Sequence, residues 1–290
     1  MGTIFQAPCV QLTKLENLWL QLSNVSCNIK CKHCFLDCHH DIKKKNFLQI
    51  DKIQEVLSGE LPDLKRIFLT GGEPFLHKEI FEIIKISLKK ANLTIYSNGT
   101  LISEKKVKII KSLENNTNHH LSFVLSLDHF TEGRNDEYRA RGVFKKVLNA
   151  IKLLRNYDFE VNIICVNLKN EPESLLQKGF EELFKQNRLD LRINNLRIIP
   201  LLKMGTYAKY YNMSAEKQHV TFDDFENFAT EKLDCKNARV LTVDGIYSCP
   251  ALVNDPRGLS GRTIQDFSHK VYLETETCFD CLSRNNKLFG

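Results

Sequence analysis

From residue 18 to residue 200, short β-branched or aromatic runs alternate with longer stretches of helical periodicity, the pattern of repeated βα units around a parallel sheet. Six runs read as strands: "LWLQLS" (18–23), "RIFLT" (66–70), "LTIYS" (93–97), "LSFVLSL" (121–127), "VNIICVN" (161–167) and "LRINNLRIIP" (191–200). Helices are predicted near 50–58, 78–90, 103–113, 143–156 and 172–186; Val143, Val147, Ile151 and Leu154 carry the apolar spacing of one helix face. Six such units are too few for a closed eight-stranded barrel, so the predicted class is α/β, a partial (β/α)6 TIM-type barrel with an open side. Right-handed crossovers set the loops that follow the strands on one face, and the polar punctuation of this chain lies in those loops.

The pattern changes near residue 211. "TFDDFENFATEKL" is helix-like, and "ARVLTVDGIYSCP" reads as strand, "DG" turn and second strand. The expected organisation is an N-terminal extension (1–17), the partial barrel (18–210) and a small β-hairpin-plus-helix domain (211–290). With 42% apolar residues the chain can build a sizeable core. It contains no apolar run long enough to cross a bilayer, and its start shows neither a charged nor a sustained apolar signal region, so a cytoplasmic, membrane-free protein is expected. A net charge of +6, from 41 basic and 35 acidic residues spread along the chain, forms no concentrated basic stripe and argues against a nucleic-acid partner.

Ten cysteines without a secretory signal point to metal binding or catalysis rather than disulfides. Seven of them fall into two sets. "CNIKCKHC" places Cys27, Cys31 and Cys34 directly after the first strand. Three thiolates can hold three corners of a [4Fe–4S] cubane and leave the fourth iron open to a small molecule. Cys38 lies near enough to raise a closed cluster, but the spacing differs from the ferredoxin run, and His39 stands where that run has proline.

Further polar groups follow the later strands. In "LTGGEPF", Gly71 and Gly72 let a ligand approach the backbone and the Glu73 carboxylate can receive an ammonium. "YSNGT" offers Ser97 and Asn98 to a ribose, although "NG" is also a common turn. "LSLDHF" sets Ser126 and Asp128 on one side of a strand end, and "NDEYRARGVF" follows with Arg139.

The cysteine loop, its position and these segments resemble the radical S-adenosylmethionine (radical SAM) superfamily over residues 18–200. The resemblance implies that SAM chelates the open iron and that an electron from the cluster cleaves it to a 5′-deoxyadenosyl radical, which takes hydrogen from a substrate. It further implies that the Gly71–Gly72–Glu73 segment holds the SAM amino group, that Ser126 and Arg139 meet its carboxylate, and that Asp128 meets ribose or substrate. The aromatic that usually precedes the third cysteine is His33 here, which can stack on adenine or simply pack the loop.

Cys235, Cys249, Cys278 and Cys281 read C-x13-C-x28-C-x2-C. Four thiolates satisfy zinc or a fully ligated iron–sulfur cluster equally well. The hairpin with a later C-x2-C resembles the twitch domain, a shortened SPASM domain, which implies one auxiliary [4Fe–4S] cluster, with zinc as the alternative. The resemblance thus implies a reductant such as flavodoxin or ferredoxin and a substrate that is a peptide to be modified or a small molecule to be oxidised. A different class of function, a non-enzymatic iron–sulfur electron carrier or zinc-stapled interaction protein, would have no use for a SAM pocket. Cys165, mid-strand, reads as a small core residue or, alternatively, as a thiol that returns hydrogen to a substrate radical.

Overall fold

The computed structural model describes residues 7–41, 46–210, 219–227, 230, 233–263 and 266–283. Among them the chain forms strands β1 (Cys9–Gln11) and β2 (Asn17–Gln21), then the alternating series that makes the barrel. That series runs α1 (Ile50–Ser58), β3 (Arg66–Thr70), α2 (Ile80–Leu88), β4 (Asn92–Ser97), α3 (Glu104–Asn115), β5 (Leu121–Ser126), α4 (Glu132–Tyr138) and α5 (Val143–Asn156). It continues with β6 (Glu160–Asn167), α6 (Glu173–Asn187), β7 (Leu196–Pro200) and α7 (Gly205–Tyr210). Beyond it lie α8 (Phe222–Asn227), β8 (Ala238–Leu241), β9 (Ile246–Tyr247), β10 (Leu259–Gly261), β11 (Lys270–Tyr272) and α9 (Glu276–Ser283). The helix expected over 221–233 is described only as α8; residues 228–229 and 231–232 lie outside the described residues.

Strands β2 to β7 pair in parallel and in sequence order, the open parallel barrel expected. Strands β3, β5 and β6 alternate between buried and more open positions. Ile67, Leu69, Leu93, Ile95, Phe123, Leu125, Val161 and Ile163 are at most 1% exposed; α5 buries Val147, Ile151 and Leu154 completely. At about 1.5–3 kcal/mol for each fully buried aliphatic, this layer is the main stabilising contact of the molecule. The intervening residues, such as Ser122, Val124 and Ser126 on β5, are half-buried and line the lumen.

Three local features differ from the sequence reading. The sixth predicted strand is shorter, because Ile193–Asn195 forms a single 3-10 turn before β7. The short helix α4, rich in polar residues, carries no apolar stripe that could announce it. The hairpin near residue 240 continues the barrel sheet: β8 runs parallel to β2, with Asn17 opposite Ala238, and β9 and β10 follow antiparallel. A small two-stranded sheet joins β1 to β11. Around it Val10, Val220, Leu233, Val271, Leu273 and Leu282 form a second apolar cluster on which Cys235, Cys278 and Cys281 pack. No described helix is long and apolar enough to cross a membrane.

Candidate active site and cysteine centres

A cavity of about 190 Å³ opens at the carboxyl ends of the strands. The loop after β2 brings Cys27, Cys31 and Cys34 to its wall, and the later loops bring Gly71 and Gly72, Ser97 and Asn98, Ser126, and Arg139. His33 lines it as well, as do Trp19 and Tyr96. Ile164, Val166, Ile199, Leu201 and Leu202 supply an apolar wall.

The two glycines seat the cysteine loop. Gly72 N donates to Ser23 O (3.2 Å) and Glu73 N donates to Ser26 O (3.2 Å). A Cβ on residue 72 would lie 1.8 Å from the Ser26 carbonyl oxygen, so nothing but glycine fits there. Gly71 holds φ at +136°, open only to glycine, with Ser23 N 2.9 Å from where its Cβ would stand. From the far side, Gly205 at φ +59° lets α7 touch the loop; Thr206 N donates to Cys34 O (2.8 Å) and Thr206 Oγ1 to Asp37 Oδ1 (2.7 Å). Lys209 pairs with the same aspartate. The helix α7 is a feature that the sequence patterns above do not announce.

Glu73 is buried, and its carboxylate is committed. It accepts from Ser97 Oγ (2.9 Å), Asn98 N (2.9 Å) and Phe75 N (3.1 Å). Burial raises its pKa, and these donors oppose the shift. The side chain braces the loop after β4 instead of lining the cavity, which leaves the glycine backbone as the ligand-facing part of the segment. Asn98 is braced in turn: its Nδ2 donates to Asn28 Oδ1 (2.9 Å) and lies 3.6 Å from Cys27 Sγ.

Asp128 is also engaged within the protein. It sits 4% exposed between a guanidinium and an imidazole: Arg139 Nη2 donates to Oδ1 (3.0 Å), and His33 Nε2 lies 3.1 Å from Oδ2. Arg139 Nε is 2.6 Å from Oδ2 without the alignment of a hydrogen bond, and Val166 N donates to Oδ1 (3.1 Å). Burial alone would raise the Asp128 pKa; the Arg139 guanidinium and the adjacent His33 ring outweigh it and hold the carboxyl below its ordinary range. Among the described residues His33 Nδ1, buried in a side chain that lines the cavity, has no hydrogen-bond partner.

The thiols differ. Burial pushes Cys27 up to about 11 and Cys31 further up. Cys34 falls to about 6, chiefly through a hydrogen bond from Cys38, whose backbone N also lies 3.4 Å from Cys34 Sγ. Cys38, 2% exposed, has its sulfur 3.2 Å from Asn24 O. Cys165 faces the helix layer, off the cavity, and donates to the Asp128 carbonyl (3.2 Å). The hydrogen-returning role is therefore withdrawn.

A second pocket, about 40 Å³, is lined by Cys235, Cys249, Cys278 and Cys281 with Leu233, Leu252, Val271 and Leu273. Burial raises all four thiols, Cys235 to about 12. Among the described residues no three Cys, His, Asp or Glu side chains lie close enough to share one ion, so each set is defined by the pocket it lines. Pro250, next to Cys249, lines the first cavity, so one segment touches both. A third hollow of about 500 Å³ at the amino ends of the strands shares Tyr96 and Ile164 with the first.

The sequence matches the family model described as the radical SAM superfamily over residues 23–182, more than half of the chain. A GTP 3′,8-cyclase of Clostridium perfringens is 28% identical over 205 residues, 68% of this chain and 58% of that protein. A cysteine-type anaerobic sulfatase-maturating enzyme of Clostridium novyi is 27% identical over 175 residues, 54% of this chain and 45% of that protein. The chain thus spans less than two thirds of either relative's length. The solved structure of native anSMEcpe with bound AdoMet superposes with a TM-score of 0.59 at 21% identity, covering 93% of this chain and 82% of that one, a likeness of fold. A cysteine loop after the first barrel strand, a glycine pair seating it and a family match across the barrel lead to one assignment: this chain belongs to the radical SAM superfamily.

Proposed function

We propose that this protein is an enzyme that cleaves SAM reductively and abstracts hydrogen from a carbon of its substrate, a peptide or a small polar molecule. The observation that carries the reading is the convergence of Cys27, Cys31 and Cys34 on one cavity with the backbone of Gly71 and Gly72. The donor set fits the group: Cys27, Cys31 and Cys34 offer three soft sulfurs beside a backbone that tolerates no side chain, while Cys38, which also lines the cavity, has its sulfur engaged with Asn24 O (3.2 Å). When bound, the [4Fe–4S] cluster and SAM supply a 5′-deoxyadenosyl radical.

The chain's own residues bind, orient and shield. Gly71 and Gly72 offer backbone to the SAM amino group, and Glu73, through Ser97 and Asn98, fixes the loop that faces the ribose. Ser126 and Arg139 are assigned to the carboxylate, with Asp128 holding Arg139 in place. His33 borders the adenine, its Nδ1 available to a ligand. The aliphatic wall from Ile164 to Leu202 excludes water, which a carbon radical requires. Cys235, Cys249, Cys278 and Cys281 are assigned to a second [4Fe–4S] cluster with four protein ligands, which relays electrons; the shared Cys249–Pro250 segment supports that relay. A flavodoxin- or ferredoxin-class donor reduces the enzyme in the cytoplasm. The similarity to a sulfatase-maturating enzyme favours a peptidyl substrate.

Anaerobic reconstitution should give about eight irons per chain, and about four when Cys27, Cys31 and Cys34 are all changed to Ala. Dithionite and SAM should yield 5′-deoxyadenosine from the parent and none from that variant. Absence of 5′-deoxyadenosine from a parent carrying its full iron overturns the reading.

A further inference from the structure

Arg239, on β8, is 0% exposed, the largest of the fully buried side chains. Among the described residues its guanidinium donates to carbonyls alone. Nη1 donates to Cys235 O (2.8 Å) and Ala238 O (2.8 Å), and Nη2 to Ser268 O (3.0 Å) and His269 O (3.2 Å). Nε has no hydrogen-bond partner, and the ring of Phe267 lies 5.5 Å from the guanidinium carbon. Among the described residues no carboxylate forms an ion pair with it, and the one ionisable group that acts on its charge is the Cys235 thiol. A guanidinium keeps its charge inside a protein.

A buried cation without a counter-charge is costly, because carbonyl dipoles replace only part of lost hydration. The four thiols of the second pocket have the opposite difficulty, since thiolates set among Leu233, Leu252, Val271 and Leu273 need a positive partner. A four-thiolate centre resolves both. Four thiolates around a [4Fe–4S]²⁺ core, or around one Zn²⁺, carry a net charge of about −2. Arg239 meets that charge from behind Cys235, gripping the carbonyl of the ligand-bearing residue and tying it to the segment that enters β11.

We propose, resting on the auxiliary-cluster reading above, that Arg239 is the counter-ion of the C-terminal cysteine centre: it positions Cys235 and stabilises the centre's more reduced, more negative state. It is a positioning residue and touches neither SAM nor substrate. The reduction concerned is a one-electron step in which the ferredoxin- or flavodoxin-class donor is oxidised and the centre gains one negative charge, with no proton taken up. A fixed cation close by makes that step easier.

The test uses full-length protein in which Cys27, Cys31 and Cys34 are Ala, so that only the second centre is loaded. Iron and zinc content and the EPR-monitored midpoint potential are compared for this parent and for Arg239→Met and Arg239→Lys added to it. The proposal expects Arg239→Met to lower the potential enough to change the reduced-to-oxidised ratio at least tenfold at fixed potential, 59 mV for one electron. Arg239→Lys, which keeps charge and loses the fork, should shift it less. Full iron with an unchanged potential in Arg239→Met overturns the proposal. If Arg239→Met does not fold, Arg239→Gln, which keeps hydrogen-bond donors and loses the charge, decides: a potential lowered by the same 59 mV supports the proposal, and the parent's potential at full iron overturns it. Zinc instead of iron in the parent sinks the auxiliary-cluster reading alone. The charge proposal is then read from zinc release to a chelator: at least tenfold faster in Arg239→Met supports it, and an unchanged rate overturns it.

Discussion

Replacing Asp128 by Asn tests whether the buried charges beside the cysteine loop form one unit. The carboxylate is 4% exposed and Arg139 7% exposed, so removal of the negative charge leaves a guanidinium inside the protein without its partner. Breaking a buried pair from one side costs about 3–5 kcal/mol. Asn keeps the shape and one acceptor for Val166 N, which sets the expectation near the lower figure, about 3 kcal/mol. For a chain of this size that is a fall of about 5 °C in Tm. The assay is anaerobic thermal and urea unfolding of parent, Asp128→Asn, Arg139→Met and the double variant. The double variant should recover at least about 1 kcal/mol of the summed single losses, because the two residues share their contacts. A single-variant loss under about 1 kcal/mol, or strict additivity, would refute the reasoning. The difference between parent and Asp128→Asn should also depend on pH. The folded-state pKa of Asp128 is depressed, so its contribution is present above the unfolded carboxylate value of about 3.9 and is lost as pH falls through the lower folded value. The gap between the two proteins should therefore be constant from neutral pH to about 5 and close below about 4.

Two further outcomes follow from contacts around the site. Gly72→Ala places a methyl 1.8 Å from the Ser26 oxygen and must lift the cysteine loop off β3; the N-terminal iron should fall from about four to under one per chain, and quantitation that finds full loading would contradict the seating role. Cys165→Ala removes a thiol that faces the helices and bonds only the Asp128 carbonyl, so 5′-deoxyadenosine yield should stay within about twofold of the parent, with a stability loss of about 1–2 kcal/mol by urea unfolding.

Much of the architecture was legible because period-2 and period-3.6 patterns record burial locally: Leu121, Phe123 and Leu125 alternate with Ser122, Val124 and Ser126, and the strand they announce is the strand that forms. Pairing between distant segments leaves no such record. Nothing in "ARVL" indicates that it lies parallel to "NLWL", a match made across some 220 residues by the register of Asn17 on Ala238. The same distinction governs the site. Which loops carry polar groups could be read from their place after the strands, but not whether a polar side chain faces the ligand or a neighbour. Glu73 and Asp128 both end on protein donors, because a buried carboxylate is stable only where donors or cations surround it, and those donors come from loops far off in sequence. Arg239 had no sequence signal at all. An arginine on a strand reads as a solvent-facing residue, and only the closure of β8 between β2 and β9 buries it fully. Buried charges in this protein thus mark where the chain-distant pieces meet, and the two cysteine pockets lie at two such meeting points.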